Sequence, residues 1–207
     1  MNVRLTVSLW VLSAMGVVLL GNVGCQKEQS PVAEEAAVEE TATVAIIEGE
    51  TPSDEQKEAM LAAKDALFQT LSGRLTEAMG NQGPAGAIEV CQKEAPQMAA
   101  DVSESHALKI GRTGVRLRNP NNQPPAWAKA MTEAKVDTPQ FVSLTNGNSA
   151  ALLPIKLKAE CLMCHGPKDQ MPPMISSQLA KLYPNDHATD FKEGELRGWF
   201  WVEKPAS

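Results

Sequence analysis

Residues 141–157 run Phe141-Val142-Ser143-Leu144-Thr145-Asn146-Gly147-Asn148-Ser149-Ala150-Ala151-Leu152-Leu153-Pro154-Ile155-Lys156-Leu157. Two apolar runs, Phe141 to Leu144 and Leu152 to Leu157, flank Asn146-Gly147. That dipeptide readily supplies the positive φ of a tight turn, so the stretch is predicted to be an antiparallel hairpin. Toward the C terminus, Glu195 to Glu203 sets Leu196, Gly198, Phe200 and Val202 against Arg197, Trp199 and Trp201. A period of two predicts a further strand finishing the same sheet. Toward the N terminus, Leu108, Ile110, Val115 and Leu117 mark another strand, with Gly111 and Gly114 as points where it can bend or bulge. Between them Pro120, Pro124 and Pro125 punctuate a loop, and a short helix is expected around Trp127 to Ala134.

Upstream of these strands the period changes to that of a helix. Ser53-Asp54-Glu55-Gln56 is a capping-box pattern, and Met60, Leu67, Phe68, Leu71, Leu75 and Met79 follow at spacings expected to line one helix face as far as Gly80. A second helix is expected from Pro84, a residue suited to a first helical turn. It places Ile88, Cys91 and Ala95 on one inward stripe before Pro96 breaks or kinks it. Helices first and a mostly antiparallel sheet afterwards make the fold class α+β.

The chain of 207 residues suffices for one ordinary domain with tails. Nineteen Lys and Arg face 25 Asp and Glu, a net charge of -6, so no basic footprint supports wrapping nucleic acid. The imbalance is local. Residues 26–52 hold seven glutamates and one lysine, a balance of -6, and residues 53–207 hold the remaining 17 cations against 18 anions. Residues 25–52 are therefore expected to form an acidic, disordered tether to a nearly neutral domain at 53–207.

Before the tether, Arg4 precedes an apolar stretch from Leu5 to Leu20, too short to span a bilayer comfortably, and Gly21-Asn22-Val23-Gly24 leads into Cys25. Residues 1–24 are expected to be a signal peptide. A cysteine directly after Gly24 is similar to the acylation site of bacterial lipoproteins, which implies lipidation at Cys25 and a membrane anchor outside the cytoplasm. Asn22 stands where that pattern prefers leucine.

The chemistry is concentrated in Cys161-Leu162-Met163-Cys164-His165, the attachment pattern for c-type haem. Two thiols three positions apart can each add to one vinyl group of a porphyrin, and the next imidazole is then set against the iron. A thioredoxin-type redox pair or half a zinc site needs no histidine at that position, and no second cysteine pair exists to complete a four-cysteine zinc site. One covalent haem c is therefore expected, and its attachment outside the cytoplasm agrees with export. Only 42 residues follow His165, whereas small soluble cytochromes usually begin with this motif. Met171 and Met174 lie too close to His165 to reach the opposite ring face easily. With Cys25, Cys161 and Cys164 accounted for, Cys91 is the odd thiol, and it is either a buried small hydrophobe or the sixth ligand. A thiolate there would neutralise ferric charge and lower the reduction potential. Met98, Met79, His106 and His187 are alternatives. Arg112, Arg116, Arg118 and Arg197 are candidate partners for haem propionates, Arg112 and Arg118 foremost.

Several motifs in order resemble one family. They are Ala87-Ile88-Glu89-Val90-Cys91, Ile110-Gly111-Arg112-Thr113 with Arg118-Asn119-Pro120, Cys161-Leu162-Met163-Cys164-His165-Gly166, and Gly194-Glu195-Leu196-Arg197-Gly198. Together they are similar to the single c-haem domain family long catalogued as of unknown function, over roughly residues 55–203. The resemblance implies a PAS-like α+β fold with one covalent haem. By position it matches Cys161 and Cys164 to the thioether attachments, His165 to the proximal ligand and Cys91 to a distal cysteine ligand. Trp199-Phe200-Trp201 departs from the pattern, since smaller residues are commoner there. The expected function is one-electron transfer or redox sensing through a six-coordinate haem, with an unknown redox partner. The alternative is a gas- or ligand-responsive sensor that signals to a separate protein. No enzymatic role is expected, because no distal acid/base pair for peroxidase chemistry is visible. Asp186, in Tyr183-Pro184-Asn185-Asp186, is expected to form a turn.

Overall fold

The computed structural model describes residues 43–206. The signal segment, Cys25 and the tether up to residue 42 lie outside the described residues. Within the described part of the segment expected to be a disordered tether, Ile46–Ile47 forms an edge strand, β1. Two adjacent β-branched residues extend the sheet there, Ile46 opposite Leu144 and Ile47 opposite Ser143.

Helix α1 spans Asp54–Lys93. Its start is the capping box: Gln56 N–H donates to the Ser53 hydroxyl at 3.2 Å and Ser53 N–H donates to Gln56 Oε1 at 2.8 Å. Gly83, at φ 70° and ψ -172°, interrupts it immediately before Pro84. Proline needs no helical donor, and glycine alone tolerates that backbone well, so two helical segments meet at a kink. The break falls three residues beyond the expected end at Gly80. Arg74 reaches across it with a two-pronged ion pair to Glu94, at 2.8 and 3.0 Å. Helix α2 (Ala95–Ser105) follows directly, with Pro96 in its first turn. Phe68 is 46% exposed and does not share the buried stripe of Met60, Leu67 and Leu71. It follows Leu67 directly, so about 100° of helical rotation carries it off that face.

Strand β2 (Lys109–Gly114) ends earlier than the alternation suggested, and Val115 and Leu117 leave the ladder. A Cβ on Gly114 would collide with Arg197 Nη1 and fall 3.0 Å from Arg116 O, which marks how tightly the chain turns there. The loop beyond passes through a 3₁₀ turn at Ala126–Ala128 into α3 (Lys129–Glu133). The hairpin is as expected: β3 (Gln140–Leu144) and β4 (Ser149–Lys156) pair antiparallel, and Gly147 takes φ 83° at the turn. Two short helices, α4 (Leu162–His165) and α5 (Pro173–Leu182), precede β5 (Leu196–Lys204). The strands form one antiparallel sheet in the order β1-β3-β4-β5-β2, the α+β, PAS-like architecture.

Both sheet faces are covered. Met60, Ala63 and Leu67 of α1 and Val102 of α2 pack on Ile110, Ala151, Leu153, Phe200 and Val202. On the other face Trp127 and Ala128 pack on Leu144, Ala150, Leu152 and Trp199. Burial on both faces is why Ala150 to Leu153 carry no polar alternation. Within the aromatic trio of β5, Trp201 fits because a glycine stands opposite. Gly111 pairs with Trp201, and a Cβ there would collide with the indole ring. The buried Trp199 donates its indole N–H to Val136 O at 2.7 Å.

Candidate functional site

The CxxCH residues lie in a 3₁₀ turn, Ala159–Cys161, running into α4, between β4 and β5. No disulfide joins the three described cysteines. The two motif thiols join different apolar clusters. Cys161 packs with Leu157, Ala188 and Phe191, and Cys164 with Ile88, Ile175, Leu179 and Tyr183. Gly166 closes α4 tightly, since a Cβ there would meet Leu162 O at 2.6 Å.

The imidazole of His165 is held from its Nδ1 side. Nδ1 lies 2.7 Å from Ala188 O. A carbonyl only accepts, so Nδ1 carries the proton and Nε2 keeps its lone pair for a metal. The acceptor is itself fixed: Ala188 N–H donates to Asp186 Oδ1 at 2.7 Å, and Asp186 Oδ2 accepts from Arg118 Nε at 2.9 Å. The same guanidinium donates through Nη2 to Cys164 O at 2.5 Å and to Ala188 O at 3.2 Å. Arg118 thus ties the exit of β2, the cysteine motif and the 186–188 segment into one unit. Asp186 forms the expected turn, its N–H donating to Tyr183 O at 3.0 Å, and also anchors the imidazole's support. Phe191 N–H donates to His165 O at 3.0 Å, and the two rings meet edge to face at 6.4 Å. Arg116 covers the Phe191 ring at 3.9 Å and Arg197 lies 5.6 Å from it. Burial, then Arg118 and Arg197, hold His165 well below the usual imidazole range, so it stays neutral at pH 7.

Cys91 reaches this place because the Gly83 kink redirects the second half of α1. Ile88 packs on Ile175, Leu179 and Tyr183, and Gln92 Nε2 donates to Leu182 O at 2.8 Å. Burial pushes the Cys91 thiol up, while Arg112, Arg118 and Arg197 oppose that shift. Burial, opposed by Arg118, pushes the Cys164 thiol up, and nearby Cys91 adds to the rise. Tyr183 is pushed up to about 12 by burial and by Cys91.

The cations outnumber the anions. Burial, then Arg118 and Arg112, lower Arg197 to about 10, and burial lowers Arg112. Arg197 Nη1 donates to Arg116 O at 3.0 Å, but its buried Nε has no partner among the described residues. Asp186 is paired to Arg118, with side chains only 9% and 10% exposed. A cluster of guanidiniums with one carboxylate and an orphaned N–H fits a bound dianion. Of the arginines expected to meet such a group, Arg112 stands beside Cys91, Arg118 is largely committed to the protein's own backbone and Asp186, and Arg197 has the open donor. His106 and His187 are exposed, and Met79 and Met98 pack in apolar clusters with Val90. The motif was legible in sequence; the Asp186 to Ala188 support was not, because it depends on contacts about 70 residues from Arg118.

A family model described as "Tll0287-like: Tll0287" matches residues 28–205. No curated protein matches the chain. Among solved structures the fold is similar to that described as the crystal structure of the cyanobacterial heme-protein Tll0287. The TM-score is 0.56 and the identity 20%, over 74% of this chain and 97% of that one. With the family's span covering most of its length, the chain belongs to the Tll0287-like family.

Proposed function

We propose that the protein binds a single haem c, attached through Cys161 and Cys164 and ligated by His165 and Cys91, and that it transfers one electron or registers redox state. The observation that carries this is the imidazole directly after the two thiols, neutral and pinned through Nδ1 to Ala188 O at 2.7 Å. Haem binding by the structural neighbour supports it. The group would supply a reversible one-electron couple. The chain's residues do the rest: Arg118 and Asp186 orient the imidazole's support, Arg197 and Arg112 offer N–H donors to propionates, and the same cations favour a thiolate at Cys91. A signal on residues 1–24 with lipidation at Cys25 would place it at an extracytoplasmic membrane surface, where it would meet a separate redox partner protein.

A second reading, a ligand-responsive sensor, is favoured by the burial that opposes a charged Cys91, since reduction lessens the charge that holds a thiolate. Visible spectra of the reduced protein with added CO separate the two. Unchanged spectra support electron transfer, and prompt CO binding supports sensing. Replacing Cys91 with serine should shift both spectrum and potential; an unaltered spectrum would remove Cys91 from the ligand set.

A further inference from the structure

Ala188 O is shared by two donors, His165 Nδ1 at 2.7 Å and Arg118 Nη2 at 3.2 Å. A carbonyl oxygen has two lone pairs, so the imidazole and a cation occupy both. The same Nη2 donates to Cys164 O at 2.5 Å, on the residue directly before the histidine. Among the described residues Arg118 is the cation whose hydrogen bonds reach both carbonyls. Its counter-charge is set as closely: Asp186 Oδ2 accepts from Arg118 Nε at 2.9 Å and Oδ1 from the Ala188 N–H at 2.7 Å. With the two side chains only 10% and 9% exposed, solvent and salt screen this pair far less than a surface one.

The acceptor opposite Nδ1 governs how much electron density the ring can give through Nε2. A free carboxylate there would draw on the Nδ1 proton, make the ring more anionic and favour ferric iron. A carbonyl already engaged by a guanidinium is a poorer acceptor, so the ring stays a weaker, neutral donor. The cation itself also disfavours the more positive oxidation state. Both effects favour ferrous iron, against the opposite pull of a thiolate at Cys91.

We propose that Arg118 is a positioning residue that raises the reduction potential of the haem, acting through the shared Ala188 carbonyl and its own buried charge, and that Asp186 partly offsets it. This rests on the haem reading above. One electron from a redox partner protein turns ferric iron ferrous, and the Nδ1 proton stays between His165 and Ala188 O in both states.

The test is a mediated optical redox titration at neutral pH of the holoprotein and three variants, each first checked for haem retained after acid-acetone extraction. Arg118→Gln removes the cation and leaves Asp186 anionic, so the midpoint should fall. Asp186→Asn keeps an oxygen for the Ala188 amide but removes the anion, so the midpoint should rise. Arg118→Lys restores the charge without the fork, and its midpoint should lie above that of Arg118→Gln. Residues that only brace the imidazole would loosen it in every variant and shift all midpoints in one direction. Should Arg118→Gln fail to fold, Asp186→Asn decides alone: a midpoint at or below the parent's overturns the proposal. Haem retained with midpoints unmoved, or moved in the same direction by Arg118→Gln and Asp186→Asn, overturns this proposal and leaves the haem reading standing. A parent that retains no haem overturns both.

Discussion

Asp186 spends one carboxylate oxygen on the Ala188 amide and the other on Arg118, so the orientation of His165 rests on a residue that never touches it. Asp186→Asn leaves the Arg118 guanidinium buried without its counter-charge, and the expected loss of stability is on the order of 3 kcal/mol. Denaturant unfolding checks this; a loss under about 0.5 kcal/mol, the scale of a surface change, would contradict the structural role. Tyr183 makes a prediction in pH. Its folded value is raised from 10.0 to about 12, so the unfolded chain releases this proton first. Its contribution is fully present below pH 10.0 and is lost as pH rises toward about 12. Tyr183→Phe should flatten that alkaline loss in melts taken across the window, and parallel curves for parent and variant would contradict it. At this scale the sequence was legible where chemistry is contiguous, as in Cys161 to His165. It was opaque where a role arises by convergence. Nothing local to Arg118 says that its guanidinium would reach Asp186, Cys164 O and Ala188 O.

Among the elements, α1 decides whether Cys91 meets the motif at all. Its kink rests on Gly83, whose φ of 70° and ψ of -172° belong to backbone space that only glycine occupies readily. Open space surrounds the position where a Cβ would sit, so the penalty of Gly83→Ala is conformational and not a clash. That substitution should cost about 1–3 kcal/mol, or several degrees in melting temperature. A variant as stable as the parent would show that the kink is dispensable. The sequence announced a break near this point, through Gly80 and Pro84, and the break falls at Gly83 because it is the residue directly before Pro84, where helical backbone is disfavoured. β1 escaped notice for a related reason. Two isoleucines within an acidic segment carry no periodicity, and their strand exists because β3 offers an edge.

For the whole molecule, the sheet separates two regions. One face carries α1, α2 and the approach to Cys91, His165 and the arginines; the other is closed by Trp127 and α3. The hairpin and β5 were legible because Asn146-Gly147 and the period of two are local signals, and the α+β class came from them. Which sheet face each residue covers was not, since β4 is apolar on both. The excess of buried guanidinium over carboxylate is a property of the assembled fold, and it is what the propionates of the proposed haem would meet. The most direct test is acid-acetone extraction of the protein expressed in a host able to attach c-type haem, then intact mass and pyridine-haemochrome absorbance. The account predicts that one haem stays with the polypeptide, and that a Cys161→Ser/Cys164→Ser double variant releases it. A parent protein whose extracted polypeptide carried no haem mass and no haemochrome band would contradict it.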